Sequence, residues 1–346
     1  MRHLELHILQ SVPVACLNRD DFGSPKTAFF GNVQRARVSS QCWKRAIREQ
    51  MQEEAPDRFG GKRSRLIIDP LRKKLKEKGL SEEEAQQGAE KIGDALCKLD
   101  SKDSSRVTTL FFASPMELDL LASDYVQNKD AKKAKKALSK KLPSDAADIA
   151  LFGRMVASDH SLTLEGAAMF SHAISTHRVS NEIDFFSAVD DLKQEDAEDA
   201  GAGMTGTLEF NSATYYRFAA LNLDMLADEA HLGTLPLEDR QEVVRMFVRS
   251  TVTAMPSARH NSMHASTFPS FVLCVVRDKG HPIQLVNAFI EPVWSSQKSI
   301  VQVSREKLEE EYKQLKETWG VSALLECIVP DKTFDQLLHE VSTHVR

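Results

Sequence analysis

Hydrophobic and polar residues alternate at the start of the chain, and this alternation over residues 2–10 predicts a β-strand. The residues on its apolar face are Leu4, Leu6 and Ile8. The patterns at 215–223 and 323–329 also predict strands. The continuous apolar run at 271–276 is typical of a strand inside a sheet. These segments supply the strands of one sheet-containing domain.

A spacing of three to four residues between apolar positions predicts helices elsewhere. It is clear in residues 39–54, where either Ser39 or Ser40 can cap the start of the helix. The other helices predicted from this spacing cover 165–177, 237–255, 305–318 and 333–345. Residues 60–160 are helical in pattern and rich in charge, which predicts a helical insertion into the strand-containing domain.

The order of these elements predicts an α+β fold. Strand, helix, insertion, strand, helix and strand follow one another as in the split βαββαβ core of RRM-like, or ferredoxin-like, proteins. The predicted parts are a first core segment (1–59), the insertion (60–160), a core helix (161–180), a long polar connection (181–214) and the rest of the core (215–346).

The distribution of charge adds a functional prediction, because one segment contains basic residues and no acidic ones. The chain has a formal net charge of -5, yet residues 22–48 contain no acidic residue. The basic residues of this window are Lys26, Arg35, Arg37, Lys44, Arg45 and Arg48. Phosphate is the commonest partner of such a segment.

Turn signals divide this basic run into a loop, an arm and a helix. Residues 23–25 and 31–32 are turn formers, so we expect Lys26 on a loop and 33–38 in an extended arm. The free N–H groups at the start of the following helix attract phosphate. A solvated basic helix face is the alternative, but loop, arm and helix agree on a phosphate track without sequence preference. Its predicted members are Lys26, Arg35, Arg37, Ser40, Gln41, Lys44, Arg45 and Arg48.

The same run resembles the backbone subunit of the type I-E CRISPR Cascade complex, the CasC family. The matching motifs are LNRDD (17–21), the loop lysine Lys26, the FG turn (30–31), the RxRVSSQ arm (35–41) and the KRAxR helix (44–48). Further blocks follow in the order expected of that family: GRM (153–155), AISTH (173–177), DFFSAVDD (184–191), YYR (215–217) and NAF (287–289).

This resemblance implies an RRM-like palm, helical fingers formed by the insertion, and a thumb loop or hairpin at 181–214. It implies a non-catalytic scaffold whose copies polymerise along CRISPR guide RNA and leave its bases free to pair with target DNA. The implied partners are other copies of the chain and the large, small and guide-end-binding Cascade subunits, in a cytoplasmic antiviral defence system. The sequence lacks an RNP1 motif, so we do not expect RNA on the usual stacking surface of the sheet.

The resemblance also implies residues that present the guide bases. The thumb contains Phe185 and Phe186, of which we expect one to lie in the core and the other, Phe186, to touch RNA. Met155 has the same implied role, with simple burial as its alternative. Arg259, in the loop 256–266, is a weaker RNA-binding candidate. The acidic stretch 190–199 would repel a nucleic acid backbone, so we expect it to face a neighbour or solvent.

Enzyme-like motifs are present but weak. The glycine motif at 201–206 lacks the flanking strand and helix of a dinucleotide site. Asp20 and Asp21 leave one alternative open, a metal-dependent endoribonuclease of a related CRISPR complex, although a turn-capping role fits them better. We therefore expect no catalytic residues, no metal and no cofactor. Five scattered cysteines predict reduced thiols in the cytoplasm, and no apolar run is long enough to span a membrane.

Overall fold

The computed structural model describes residues 1–138, 142–188 and 204–346, and these form a mixed α+β structure. The strands are β1 (His3–Ala15), β2 (Thr27–Phe30), β3 (Val33–Val38), β4 (Lys62–Ser64), β5 (Leu99–Asp100), β6 (Asp103–Val107), β7 (Phe111–Ala113), β8 (Ala168–Phe170), β9 (Ala173–Ser175), β10 (Glu182–Ala188), β11 (Met204–Asn222), β12 (Phe271–Arg277) and β13 (Leu325–Val329). The α-helices are α1 (Ser40–Glu54), α2 (Ile68–Glu77), α3 (Glu82–Cys97), α4 (Pro115–Asn128), α5 (Ala131–Ala137), α6 (Ala147–Phe152), α7 (Leu223–Leu226), α8 (Leu237–Thr253), α9 (Ile300–Trp319) and α10 (Phe334–Ser342). Short 3₁₀ helices cover His160–Leu162 and Val286–Phe289.

One large antiparallel sheet organises the described residues. Its strands follow the order β13-β12-β1-β11-β9-β3-β2, and β8 and β10 pair with β11 outside this path. Along the chain, helix α1 comes between β1 and β9, and α8 comes between β11 and β12. The chain therefore runs β–α–β–β–α–β through the centre of the sheet, and the predicted α+β class is confirmed.

The two faces of the sheet are buried by different helices. Leu4, Leu6 and Ile8 of β1 lie in a cluster with side chains of α1, α8 and α10. Leu9, on the opposite face, lies in a second cluster with Leu308 of α9 and the 3₁₀ helix Val286–Phe289. Because α9 covers this face of the sheet, the sheet residues Tyr216, Phe218 and Phe271 are packed against protein and are not free to stack on bases.

The segment between β4 and α5 has a hydrophobic cluster of its own. Helices α2 to α5 contribute most of this cluster, which is separate from the two clusters on the sheet. Ser81 and Ser114 form capping boxes with Glu84 and Glu117, so the sequence itself fixes the starts of α3 and α4. The helical pattern predicted for this part of the chain is therefore present.

The helix predicted over 165–177 is wrong. The 3₁₀ helix His160–Leu162 precedes this segment, which itself forms β8 and β9, both paired with β11. Ala168, Ala173 and Ile174 of this segment are buried, and they lie in strands rather than on a helix face. Helical spacing in a short segment does not exclude a strand, and here pairing with β11 satisfies the backbone hydrogen bonds of the segment.

The connection at 181–214 is more regular than its polar composition predicted. β10 pairs with the first part of β11 to form a hairpin, which we call the thumb hairpin (182–188 and 204–210). β11 accordingly starts at Met204 rather than near 215. The acidic stretch 190–199 and the first glycines of the motif at 201–206 lie outside the described residues.

The remaining predicted elements are confirmed within a few residues, as α1, α8, α9, α10, β1, β12 and β13. All five cysteines are free thiols. Within the described ranges, no helix is both long enough and apolar enough to cross a membrane.

Candidate nucleic-acid interface

The loop before β2 is folded by its own polar side chains. The Asp20 Oδ1 atom accepts hydrogen bonds from the Phe22 and Ser24 backbone N–H groups, both at 2.9 Å. Gly23 has a φ of +89°, which favours glycine at this turn. These bonds show the local turn-capping role that the sequence suggested for Asp20.

Asn18 ties this loop to the start of α1. Its Oδ1 atom accepts from the Ser39 N–H at 2.9 Å, and the Ser39 hydroxyl in turn caps the helix by accepting from the Cys42 N–H at 3.3 Å. The apolar side of α1 is buried through Trp43, Ala46, Ile47 and Met51. The polar side, with Gln41 and Arg45 exposed, therefore faces outward as predicted.

Cations gather around the helix start. The Arg37 N–H donates to the Lys26 carbonyl oxygen at 2.9 Å, so the loop lysine lies beside β3. His172, which the sequence did not single out, accepts from the Ser40 N–H at 3.3 Å and from Arg37 Nη1 at 3.4 Å, both through Nδ1. Burial, with Arg37 and Lys26 adding repulsion, lowers the pKa of His172, which favours its neutral ring.

A cleft of about 620 Å³ opens beside the same helix. The loop 17–23, Arg45 and Glu49 of α1, and the segment 256–258 line it. Arg45 Nε donates to Glu49 Oε1 at 2.7 Å, and this bond raises the pKa of Arg45. Arg45 is therefore cationic at every relevant pH, but it would share its charge between Glu49 and any bound phosphate.

Lys44 and Arg48 also belong to the polar side of α1 but are partly buried. Lys44 Nζ lies 5.5 Å from the centre of the Phe170 ring, and Arg48 Cζ lies 5.4 Å from the centre of the Phe112 ring. Both side chains are thus supported by aromatic rings, which fixes the direction in which they present their charge.

Arg35 is not part of this surface, so its predicted role as an RNA ligand is wrong. The residue is fully buried, and its guanidinium donates to the carbonyl oxygens of Phe30, Ser175, Phe289 and Ile290 at 2.7–3.4 Å. The basic run indicated its charge correctly, but β3 turns this residue inward, where it joins the β2–β3 hairpin to the 3₁₀ helix Val286–Phe289.

Met155 is exposed, with 82% of its surface accessible, so the alternative of simple burial is wrong. The preceding residue explains the exposure. Arg154 is buried, pairs with Glu117 at 2.7 Å, and donates to the carbonyl oxygens of Phe112 and Leu162. These bonds anchor the loop from inside and leave the next side chain to project outward.

The base of the thumb hairpin lies beside the basic loop. Asn181 Nδ2 donates to the Pro25 carbonyl oxygen at 3.2 Å, one residue before Lys26. Within the hairpin, Phe185 is 67% exposed, while the Phe186 ring covers Gly206 on the paired strand. Phe185 therefore offers the larger free surface, although the sequence resemblance favoured Phe186.

The remaining candidates lie near this surface without forming an obvious reaction centre. Arg259 has a φ of +54° and is close enough to the Cys16 thiol to affect its pKa, which places Arg259 near the loop 17–23. Asp21 is exposed. In the described part of the chain, no group of three His, Cys, Asp or Glu side chains is arranged to hold a metal ion.

Comparison with known proteins places this architecture. The chain is similar to a chain of a structure described as "CRISPR RNA-guided surveillance complex, pre-nicking", with a TM-score of 0.85, 28% identity and 99% of both chains covered. A chain of a second structure, described as "CRISPR RNA-guided surveillance complex", gives a TM-score of 0.71 and 26% identity, again over 99% of both chains. No curated protein sequence matches the chain.

These similarities confirm the resemblance to CRISPR Cascade subunits that the motifs indicated. The model of the family described as "CT1975-like protein" matches residues 4–343. Because this match covers nearly the whole length, the chain belongs to the CT1975-like protein family.

Proposed function

We propose that this protein is the non-catalytic backbone subunit of a type I-E Cascade complex. Several copies would lie along a CRISPR guide RNA, hold its phosphates without regard to sequence, and present its bases to target DNA. One observation carries the proposal: the acid-free run places Lys26 and Arg37 near the start of α1 and Lys44, Arg45 and Arg48 on the polar side of the same helix. The similarity of the whole chain to chains of RNA-guided surveillance complexes suggests RNA as the class of ligand.

The chemistry of the surface fits a phosphodiester backbone. Lys26 and Arg37 provide cationic donors near the start of α1, and Lys44 and Arg48 provide them further along the helix. None of these groups reads a base edge. Such a surface binds guides that differ in sequence equally well, as a scaffold requires.

Base presentation falls to the exposed apolar side chains near this surface. Met155 and the thumb hairpin project from anchored backbone, and Asn181 sets the hairpin beside Lys26. An exposed methionine or phenylalanine beside a bound single strand can insert between bases or stack on them. Phe185 and Phe186 lie on opposite faces of β10, so the two rings would face different neighbours.

The test is RNA binding by the double variant Lys44→Ala, Arg45→Ala, measured with two single-stranded RNAs of unrelated sequence. Each lost phosphate contact lowers the slope of log affinity against log salt by about 0.7, so we expect a decrease of about 1.4 for both RNAs. The matched control is Lys279→Ala, Lys313→Ala, which removes two exposed lysines from β12's connecting loop and α9.

Equal affinity and equal slope for the double variant and the control would overturn the phosphate track. The non-catalytic assignment is tested separately, by incubating the assembled protein with complementary RNA and magnesium or manganese. Cleavage that disappears in Asp20→Ala would replace the scaffold by an endoribonuclease.

A further inference from the structure

A second group of cations lies next to the predicted track, on a strand that the basic run does not include. Arg63 of β4 is exposed, and its Cζ lies 4.6 Å from the centre of the Phe112 ring. Arg48 of α1 approaches the same ring, with Cζ at 5.4 Å. Two guanidinium groups from different parts of the chain therefore share one aromatic support.

The backbone fixes this arrangement. β4 and β7 are antiparallel, and their register places Arg63 directly opposite Phe112. Gly61 allows the close packing, since a Cβ there would lie 2.5 Å from the Phe112 ring and 2.7 Å from Asp148 Oδ1. The position of Arg63 is set by a strand pair and a buried ring rather than by a mobile loop.

The charges in this group are not balanced. Burial first and Arg63 second lower the pKa values of both Lys44 and Arg48. Asp148 is the carboxylate next to the group, and Gln52 Nε2 donates to it at 2.9 Å. Burial raises the pKa of Asp148 to about 6, so it is ionised at pH 7 and attracts Arg48 and Arg63. One carboxylate offsets only one of the three cations Lys44, Arg48 and Arg63. In addition, Arg48 Nε is buried without a hydrogen-bond partner. Like charges held together in this way favour an anion as the missing partner.

We propose that Arg63 and Arg48, supported by Phe112, form a phosphate-binding site that extends the guide-RNA track from α1 onto β4. This inference rests on the proposed function and adds a residue that neither the charge pattern nor the motifs identified. A phosphodiester group fits because planar guanidinium groups bind its oxygens in pairs and remain charged when partly buried.

The site also connects two roles. The Phe112 carbonyl oxygen accepts a hydrogen bond from Arg154 Nη1 at 3.2 Å, and Arg154 is the residue that anchors exposed Met155. One short strand, β7, therefore supports both a phosphate site and the methionine proposed to contact bases. A phosphate held at Arg63 would set the backbone at a fixed distance from Met155.

The experiment compares RNA binding by Arg63→Ala, Arg63→Lys and Arg305→Ala in the full chain, with a single-stranded RNA and a salt titration. Arg305 is a matched control because its Cζ also lies over a phenylalanine ring, Phe271, at 5.0 Å. Carboxylates neutralise Arg305, however, through Glu309 at 2.8 Å and Asp331 at 3.4 Å.

We expect Arg63→Ala to bind RNA about tenfold more weakly, with a salt slope smaller by about 0.7. Arg63→Lys retains the charge but not the planar fork, so its affinity should fall between wild type and Arg63→Ala. Arg305→Ala should bind as wild type does. Thermal melting verifies that each variant is folded.

Wild-type affinity and slope in Arg63→Ala, together with a loss in Lys44→Ala, Arg45→Ala, would overturn this site and leave the proposed function standing. A loss confined to target-DNA capture by the RNA-loaded protein would overturn the assignment to guide RNA. If neither Arg63→Ala nor the double variant Lys44→Ala, Arg45→Ala weakens RNA binding, both this site and the proposed function are overturned.

Discussion

Arg35 has two competing roles that one variant can distinguish: the structure gives it a buried structural role, whereas the charge pattern predicted that it binds RNA. The change is Arg35→Ala, which removes a fully buried guanidinium and leaves the carbonyl oxygens of Phe30, Ser175 and Phe289 without their donor. Hydrogen bonds from a charged group contribute about 1.5–3 kcal/mol each, and the variant avoids the desolvation cost of a buried charge, which offsets part of the loss. We therefore expect the free energy of unfolding to fall by about 4 kcal/mol.

Arg35→Lys should be nearly as damaging, because one ammonium group cannot reach acceptors that lie on separate segments of the chain. Urea unfolding measures the stability of each variant, and RNA titration below the unfolding transition measures binding. We expect RNA affinity within twofold of wild type for the folded fraction. A variant with full stability and weakened RNA binding would refute the structural role and restore Arg35 to the phosphate track.

Two further predictions concern a turn and a buried histidine. Gly31 has a φ of +60°, and an added Cβ would overlap the Ile290 carbonyl, whereas Gly23, at +89°, has open space around it. Gly31→Ala should therefore destabilise the protein by several times the ~1 kcal/mol expected for Gly23→Ala, as thermal melting of the pair would show, and equal losses would contradict the close approach. His7 is fully buried against Glu5 and Tyr216, and burial lowers its pKa. The unfolded chain therefore takes up a proton below pH ~6.5 that the folded chain refuses, so stability at this site is present above that pH and is lost as pH falls. His7→Gln should flatten the decline in the free energy of unfolding between pH 7 and 5, measured by urea unfolding at each pH. If the free energy falls with pH as steeply as in wild type, His7 accepts the proton in the folded state.

The charge pattern predicted where basic side chains gather better than it predicted which of them are exposed. An acid-free stretch predicts a basic surface because charged side chains stay in water unless they are paired. Arg45 is exposed and Lys26 and Arg37 are partly exposed, as that rule predicts. The rule failed for Arg35, because buried carbonyl oxygens at the hairpin edge provided the hydrogen bonds that made burial of a guanidinium favourable. No local pattern around Arg35 predicts this burial, since Phe289 lies far along the chain.

Residues missed by sequence reasoning share one property: their role depends on a distant partner. His172 belongs to a segment predicted as a helix, and only the pairing of β9 with β3 places it against Ser40. Arg63 lies outside the basic run, in a segment predicted as a charged helical insertion. Its relation to Arg48 exists only because β4 pairs with β7 and brings both guanidinium groups to Phe112.

The sequence by itself determined the α+β class, the start of α1, the strongest helices and strands, and the positive charge of the segment before and within α1. These depend on local periodicity, capping and composition, which act within a few residues. Tertiary structure alone decided that 165–177 forms strands, that Arg35 is buried and that Met155 projects outward. Each of these outcomes depends on hydrogen bonds and packing between segments far apart in the chain, and such contacts override local preference because a buried polar group left unpaired costs free energy.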